Sequence, residues 1–196
     1  MTLTRRDFLK LVGGAAGALA LRPFSRVMPL PEFPQGQRLG RLTASVDVRS
    51  FPRFDYPSIG KVYEDAIVVI QREISGGTYG PDSGPWSRGK TWIETPDGFI
   101  HGSIVQPVKY LPNEPLRELP PGKNGFWAEV TVPYVDFVLE NQNPVSPWIV
   151  DSLKINRPIR LYYSQVMWVD QIKVSEVTGN IIYRINERYG SYGDIF

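Results

Sequence analysis

Thr91-Trp92-Ile93-Glu94-Thr95-Pro96-Asp97-Gly98-Phe99-Ile100 is the stretch whose reading decides the fold. Two runs of β-branched and aromatic residues flank Pro96-Asp97-Gly98, where proline presets φ and Gly98 can take positive φ, so it reads as a tight β-hairpin. Moving outward, strand patterns are predicted at Arg41–Arg49, Ile59–Tyr63, Ala66–Ile74, Thr91–Thr95 and Gly98–Val108. Loops Phe51–Pro57 and Gly76–Gly89 separate them. A second series follows at Phe126–Val132, Tyr134–Leu139, Ile159–Tyr163, Val166–Val174 and Asn180–Ile185. With 18 Gly and 18 Pro in 196 residues, long helices are disfavoured. The expected fold class is all-β, two small β-barrel modules behind an N-terminal signal helix.

The chain has no cysteine and one histidine, so disulfides, thiol nucleophiles, zinc-thiolate sites and most His-based chemistry are excluded. The balance favours binding over catalysis, and no motif calls for a cofactor or a metal.

Residues 4–10 read Thr-Arg-Arg-Asp-Phe-Leu-Lys, followed by a short Gly/Ala-rich apolar run. This is the pattern of a twin-arginine export signal, with Arg5, Arg6, Phe8 and Leu9 as its address and the twin-arginine translocase as a transient partner. The apolar run from Leu11 to Leu21 is about half the length of a membrane-crossing helix, so no permanent span is expected. Removing residues 1–20 takes away three of 22 basic and one of 20 acidic side chains and leaves nineteen of each. A mature chain near neutrality, without a Lys/Arg cluster, argues against nucleic acid as a partner. The expected location is beyond the cytoplasmic membrane.

Prolines set the expected organisation: signal 1–20, Pro-rich tether 21–37, first barrel 38–110, Pro-rich linker 111–125 and second module 126–196. The two modules echo one another. Lys61-Val62-Tyr63 with Ile67 and Ile70 matches Arg160-Leu161-Tyr162 with Val166 and Val169, and Gly98-Phe99-Ile100 matches Gly193-Asp194-Ile195. On that pattern the strand closing the second barrel would begin where the sequence stops at Phe196. The second module is therefore expected to be truncated, with an unpaired edge near residues 180–196 that promotes self-association.

Taken in order, the signal Thr4–Lys10, the segments Gly40–Leu42, Val46–Arg49 and Ile59–Asp65, and Gly98–Val108 resemble the N-terminal, noncatalytic region of exported L,D-transpeptidase-like proteins of the YkuD type. Trp127–Tyr134 and Arg188–Gly193 extend the resemblance over almost the whole chain, and the first module also resembles a bacterial Src-homology-3-like barrel. The resemblance implies a cell-envelope protein that binds peptidoglycan or positions a C-terminal catalytic domain; a stand-alone module holding another envelope protein is the alternative. The family's nucleophile is a cysteine, which this chain lacks, so no catalytic residue carries over. Ile100-His101-Gly102 matches the first piece of the motif, and Ile100-His101-Gly102-Ser103 reads here as the turn into the last barrel strand.

A serine triad using His101 and Ser103 lacks a nucleophile elbow. Glu64, Asp65 and Asp82 read as solvated acids, and Gly76–Gly80 as a flexible loop. The candidate ligand-binding side chains are Trp86, His101, Tyr189 and Tyr192: rigid aromatics among glycines can stack on sugar rings or dock peptides. Trp92, Trp127, Trp148 and Trp168 are assigned to the core.

Overall fold

A computed structural model describes residues 33–77, 89–176 and 178–196, all within one compact unit that runs from Pro31 to Phe196. The fold is all-β, with fifteen short strands among the described residues. Eight lie in the first half: β1 (Leu39–Leu42), β2 (Val46–Arg49), β3 (Ser58–Val62), β4 (Ile67–Val69), β5 (Arg72–Ser75), β6 (Thr91–Thr95), β7 (Gly98–His101) and β8 (Val105–Val108). They form two antiparallel sheets, β4-β1-β8 and β3-β2-β7-β6-β5. The hairpin Thr95-Pro96-Asp97-Gly98 joins β6 to β7, with Gly98 at φ 135°. The strand pattern Gly98–Val108 is divided by a 3-10 turn at Gly102–Ile104, where Ile100-His101-Gly102-Ser103 reads as a turn, because its two ends serve different sheets. For the same reason Arg41–Arg49 divides into β1 and β2.

The second half holds β9 (Phe126–Glu129), β10 (Tyr134–Asp136), β11 (Val138–Leu139), β12 (Arg160–Tyr162), β13 (Val166–Val174), β14 (Ile181–Asn186) and β15 (Tyr192–Ile195). Their sheets are β10-β12 and β11-β15-β14-β13-β9. One helix, α1 (Pro147–Lys154), interrupts the strands; it starts with proline at its first position, where a missing N–H costs nothing, and buries Ile149. Neither the composition nor the strand patterns flagged it.

The echo between the halves is a structural duplication. In the first half Leu42 N–H donates to Ala66 C=O and Asp65 N–H to Leu42 C=O; in the second Val130 N–H donates to Gln165 C=O and Ser164 N–H to Val130 C=O. Asp65 and Ser164, ninety-nine positions apart, both sit at positive φ, 65° and 69°. β4 and β5 turn from one sheet to the other at Ile70–Gln71, and β13 carries its bulge at the matching place, between Val169 and Gln171. Asp47 opposes Lys61 as Asp136 opposes Arg160. A Cβ on Gly98 would lie 2.7 Å from Arg49 O and 2.9 Å from Val48 Cγ1; one on Gly193 would lie 2.3 Å from Val138 O and 2.8 Å from Phe137 Cζ. Each glycine lets its strand press against the matching buried residue, Val48 or Phe137.

The duplication corrects the expected edge. β14 is paired on both sides and β15 lies between β14 and β11, so residues 181–195 sit inside the sheet; the edges are β11 and β9. Trp127, assigned to the core, is 69% exposed on β9, since Phe126 and Ala128 take the inward positions of that strand. Trp92 is buried, Trp168 is half-buried on β13, and Trp148 is half-buried on α1 against Phe137.

Asp65, read as a solvated acid, is buried where the halves meet. Its Oδ1 accepts from Arg41 Nη1 at 2.6 Å, and its Oδ2 accepts from Arg160 Nη1 at 3.0 Å and from the Tyr162 hydroxyl at 3.1 Å. Arg160 Nε also reaches Asp136 at 2.9 Å. The Arg41 guanidinium lies 3.9 Å above the Tyr162 ring and that of Arg160 4.2 Å above Tyr134. Burial, then the charge of and hydrogen bond to Asp65, push the Tyr162 phenol up to about 12 from 10.0.

The substitution Gly193→Ala is expected to destabilise the fold by about 1–3 kcal/mol in urea unfolding. Gly60→Ala, whose added methyl meets nothing nearer than 4.0 Å, should stay within about 0.5 kcal/mol of the parent. Asp65→Asn leaves two guanidinium groups facing a neutral amide and should lose about 3 kcal/mol in the same assay. Because the fold favours the neutral Tyr162 phenol, its contribution is complete below the ordinary value of 10.0 and disappears as pH rises through about 12. An ultraviolet difference titration should show a late tyrosine step near pH 12 that Tyr162→Phe removes.

Candidate binding groove

A concavity lies in the first half. It encloses about 990 Å³ between the β2–β3 loop and the chain leaving β5. The loop is the sequence Phe51-Pro52-Arg53-Phe54-Asp55-Tyr56-Pro57. It is tightened by Arg53 N–H to Phe51 C=O at 2.7 Å and held to β2 by Arg49 Nη1, which donates to Tyr56 C=O at 2.8 Å. Pro52 C=O accepts from Gly77 N–H at 2.8 Å, and Trp92 Nε1 donates to Gly77 C=O at 3.0 Å. This clamp requires glycine: a Cβ on Gly76 would stand 2.2 Å from Pro52 O and 2.4 Å from Trp92 Cδ1.

Its walls combine flat apolar surface with fixed charge. Phe51, 48% exposed, stacks on Tyr56 with ring centres 4.8 Å apart at 29°, and tilts toward Phe99 at 6.3 Å. Arg53 grips Asp55 through two bonds, Nε to Oδ1 at 3.0 Å and Nη2 to Oδ2 at 2.7 Å, which fixes its guanidinium plane. Arg72 pairs with Glu94 at 2.5 Å across β5 and β6; the hydrogen bond, followed by the opposite charge, raises Arg72 and lowers Glu94. Such a surface suits ligands that present a ring face and an acidic group.

His101 stands behind this groove. It is 95% buried and edge-on to Trp92, with Phe54 5.0 Å away; Nδ1 lies 2.7 Å from Ser103 Oγ and Nε2 2.8 Å from Gly89 O. Both ring nitrogens are occupied, so the ring braces the loops and presents no free nitrogen to a ligand. Tyr189 and Tyr192 lie elsewhere, in and after the β14–β15 turn, both exposed. The Arg188 guanidinium covers Tyr189, and that of Arg184 lies 5.6 Å from the Tyr192 ring. His101 thus lies apart from Tyr189 and Tyr192. Trp86, together with Arg5, Arg6, Phe8 and Leu9, lies outside the described residues.

Phe51, Arg53 and Arg72 line the groove, with Tyr56 stacked on Phe51, and the sequence reading passed over all four. The loop residues had a signal in the alternation of aromatic residues with Pro52 and Pro57, which a loop assignment absorbed, while Arg72 lay inside the predicted strand Ala66–Ile74. One hydroxyl cluster superficially suggests catalysis: Ser146 Oγ donates to Glu187 Oε2 at 2.6 Å and lies 2.8 Å from Ser191 Oγ. Both serines are fully buried, and the cluster ties the start of α1 to the β14–β15 turn. Compared with known proteins, the chain matches no family model, no curated protein and no solved structure.

Proposed function

We propose that this chain is an exported, noncatalytic envelope protein that holds the peptidoglycan wall polymer, as the binding region of an L,D-transpeptidase-like cross-linking protein. The observation that carries the reading is the exposed Phe51–Tyr56 stack beside the fixed guanidinium of Arg53, with Arg72 on the same groove. A sugar ring lies flat on an exposed aromatic face, and the carboxylates of a wall stem peptide suit an arginine fork. The Arg5-Arg6 pattern supports delivery by the twin-arginine translocase to the compartment where that polymer lies.

Co-sedimentation of the purified chain with isolated peptidoglycan tests this. The parent should be retained, and Phe51→Ala and Arg72→Ala should each weaken retention about five- to tenfold, the loss of roughly 1–1.4 kcal/mol of stacking or charge-assisted bonding. Tyr189→Ala, on the other half, should bind as the parent does. An unretained parent, or Phe51→Ala indistinguishable from it, sinks the groove as the wall-binding surface.

A further inference from the structure

The junction between the halves is made by two matched surfaces, and the duplication gives each half a version of both. The accepting surface is a hydrogen-bonded pair that holds one carboxylate: Asp65 Oδ1 accepts from Arg41 Nη1 at 2.6 Å. The donating surface is a cation and a phenol, Arg160 and Tyr162, which reach the other oxygen of Asp65 from β12. Because Leu42 corresponds to Val130 and Asp65 to Ser164, the pair Arg41–Asp65 is repeated as Glu129–Ser164. Ser164 Oγ donates to Glu129 Oε1 at 2.9 Å, so this pair also holds one carboxylate, carried by its other member. Glu129 is exposed, and among the described residues no cation pairs with it. The donating surface is repeated as Lys61 and Tyr63, with Asp47 opposite Lys61 as Asp136 is opposite Arg160. The Lys61 ammonium lies 5.8 Å from the Tyr63 ring, which is 66% exposed. Asp47 bonds to Arg49 at 3.3 Å, and among the described residues no carboxylate pairs with Lys61.

We infer that copies of this chain associate head to tail, with Lys61 and Tyr63 of one copy receiving Glu129 of the next as Arg160 and Tyr162 receive Asp65. A second copy is the occupant that the charges specify, since the chain carries both members of the pair, opposite in sign and each without a counter-ion among the described residues. The contact uses the face of the sheet and leaves its edge alone. In the first half β8 is paired along the edge of β1, and the Arg41 guanidinium still lies 3.9 Å from the Tyr162 ring, so the face stays open with a strand beside it. Apolar surface borders the carboxylate: Trp127, 69% exposed, lies two residues before Glu129 on the same face of β9, and Val166, 54% exposed, lies opposite it. Excluding water there strengthens the ion pair beyond that of an isolated surface pair. The contact is heterologous, so each copy keeps one surface of each kind and copies add in a row.

Sedimentation velocity of the purified full chain over a concentration series tests this. The weight-average mass should rise with concentration and fall back on addition of salt, which screens the pair. Lys61→Glu and Glu129→Lys each bring like charges together and should weaken association about tenfold or more. An equimolar mixture of the two variants, or the chain carrying both changes, restores opposite charges at every contact and should associate as the parent does. That rescue also shows that neither single variant fails to fold. Phe51→Ala should associate unchanged, which keeps this surface separate from the groove. A parent that stays monomeric at every concentration, single variants that associate like the parent, or a mixture no stronger than either variant alone would each overturn the inference.

Discussion

The buried carboxylate of Asp65 is the constraint on which the arrangement of the two halves rests. It sits between Arg41 of its own half and Arg160 and Tyr162 of the other, at salt-bridge distances of 2.6 and 3.0 Å. A charge taken out of water is tolerable only where its lone pairs are filled, and here both oxygens are. The position demands a residue that accepts positive φ as well as one that carries charge, and aspartate is among the few side chains that meet both demands. Around it the two guanidinium planes lie on the rings of Tyr162 and Tyr134, and the Phe33 ring meets Tyr134 and Tyr110. Beside it Arg157 reaches Glu64 at 3.0 Å. The junction is therefore specific in both charge and shape.

The duplication explains why the halves share a skeleton and differ in use. Core positions correspond: Leu42 with Val130, Val48 with Phe137, Val62 with Leu161, Ile70 with Val169. The loops diverge. Where the first half has the short Phe51–Pro57 loop that walls the groove, the second inserts a longer segment bearing α1, whose Ile149 is fully buried and whose Trp148 lies beside Phe137. The second half thus has a helix packed on its core in the place of a groove wall. Its own distinctive surface is Trp127, exposed on β9 at the edge of its sheet among the described residues. Ion pairs on the outer faces fasten the register: Arg184 holds both oxygens of Asp170 beside the bulge, which lowers the Asp170 carboxyl, and Lys173 bridges Glu140 and Asp194.

Much of the strand content was legible because it is local. The period-2 patterns at Thr91–Thr95 and Val166–Val174 match β6 and β13 to the residue, and the turn at Pro96-Asp97-Gly98 follows from proline's φ and glycine's freedom. The repeat was legible through Lys61–Tyr63 and Arg160–Tyr162 because the duplicated strands keep their apolar spacing. The turn at Gly102–Ile104 was legible in Ile100-His101-Gly102-Ser103, but the change of sheet across it was not, since an apolar run reads alike whether it stays in one sheet or crosses between two. The helix at 147–154 was hidden by its brevity, eight residues with proline at the start.

By itself the sequence determined the class of fold, the positions of its turns, the duplication, and the scarcity of chemistry available to a chain with one histidine and no cysteine. These follow from backbone sterics and side-chain type, which act over a few residues. Only the tertiary structure decided that Asp65 is buried and His101 fully partnered, that Trp127 faces outward, that residues 181–195 lie inside a sheet, and that Phe51, Arg53 and Arg72 share one groove. Asp65 depends on Arg160 and Tyr162, 95 and 97 positions away, and a one-residue change of register would turn every side chain of a strand to its other face.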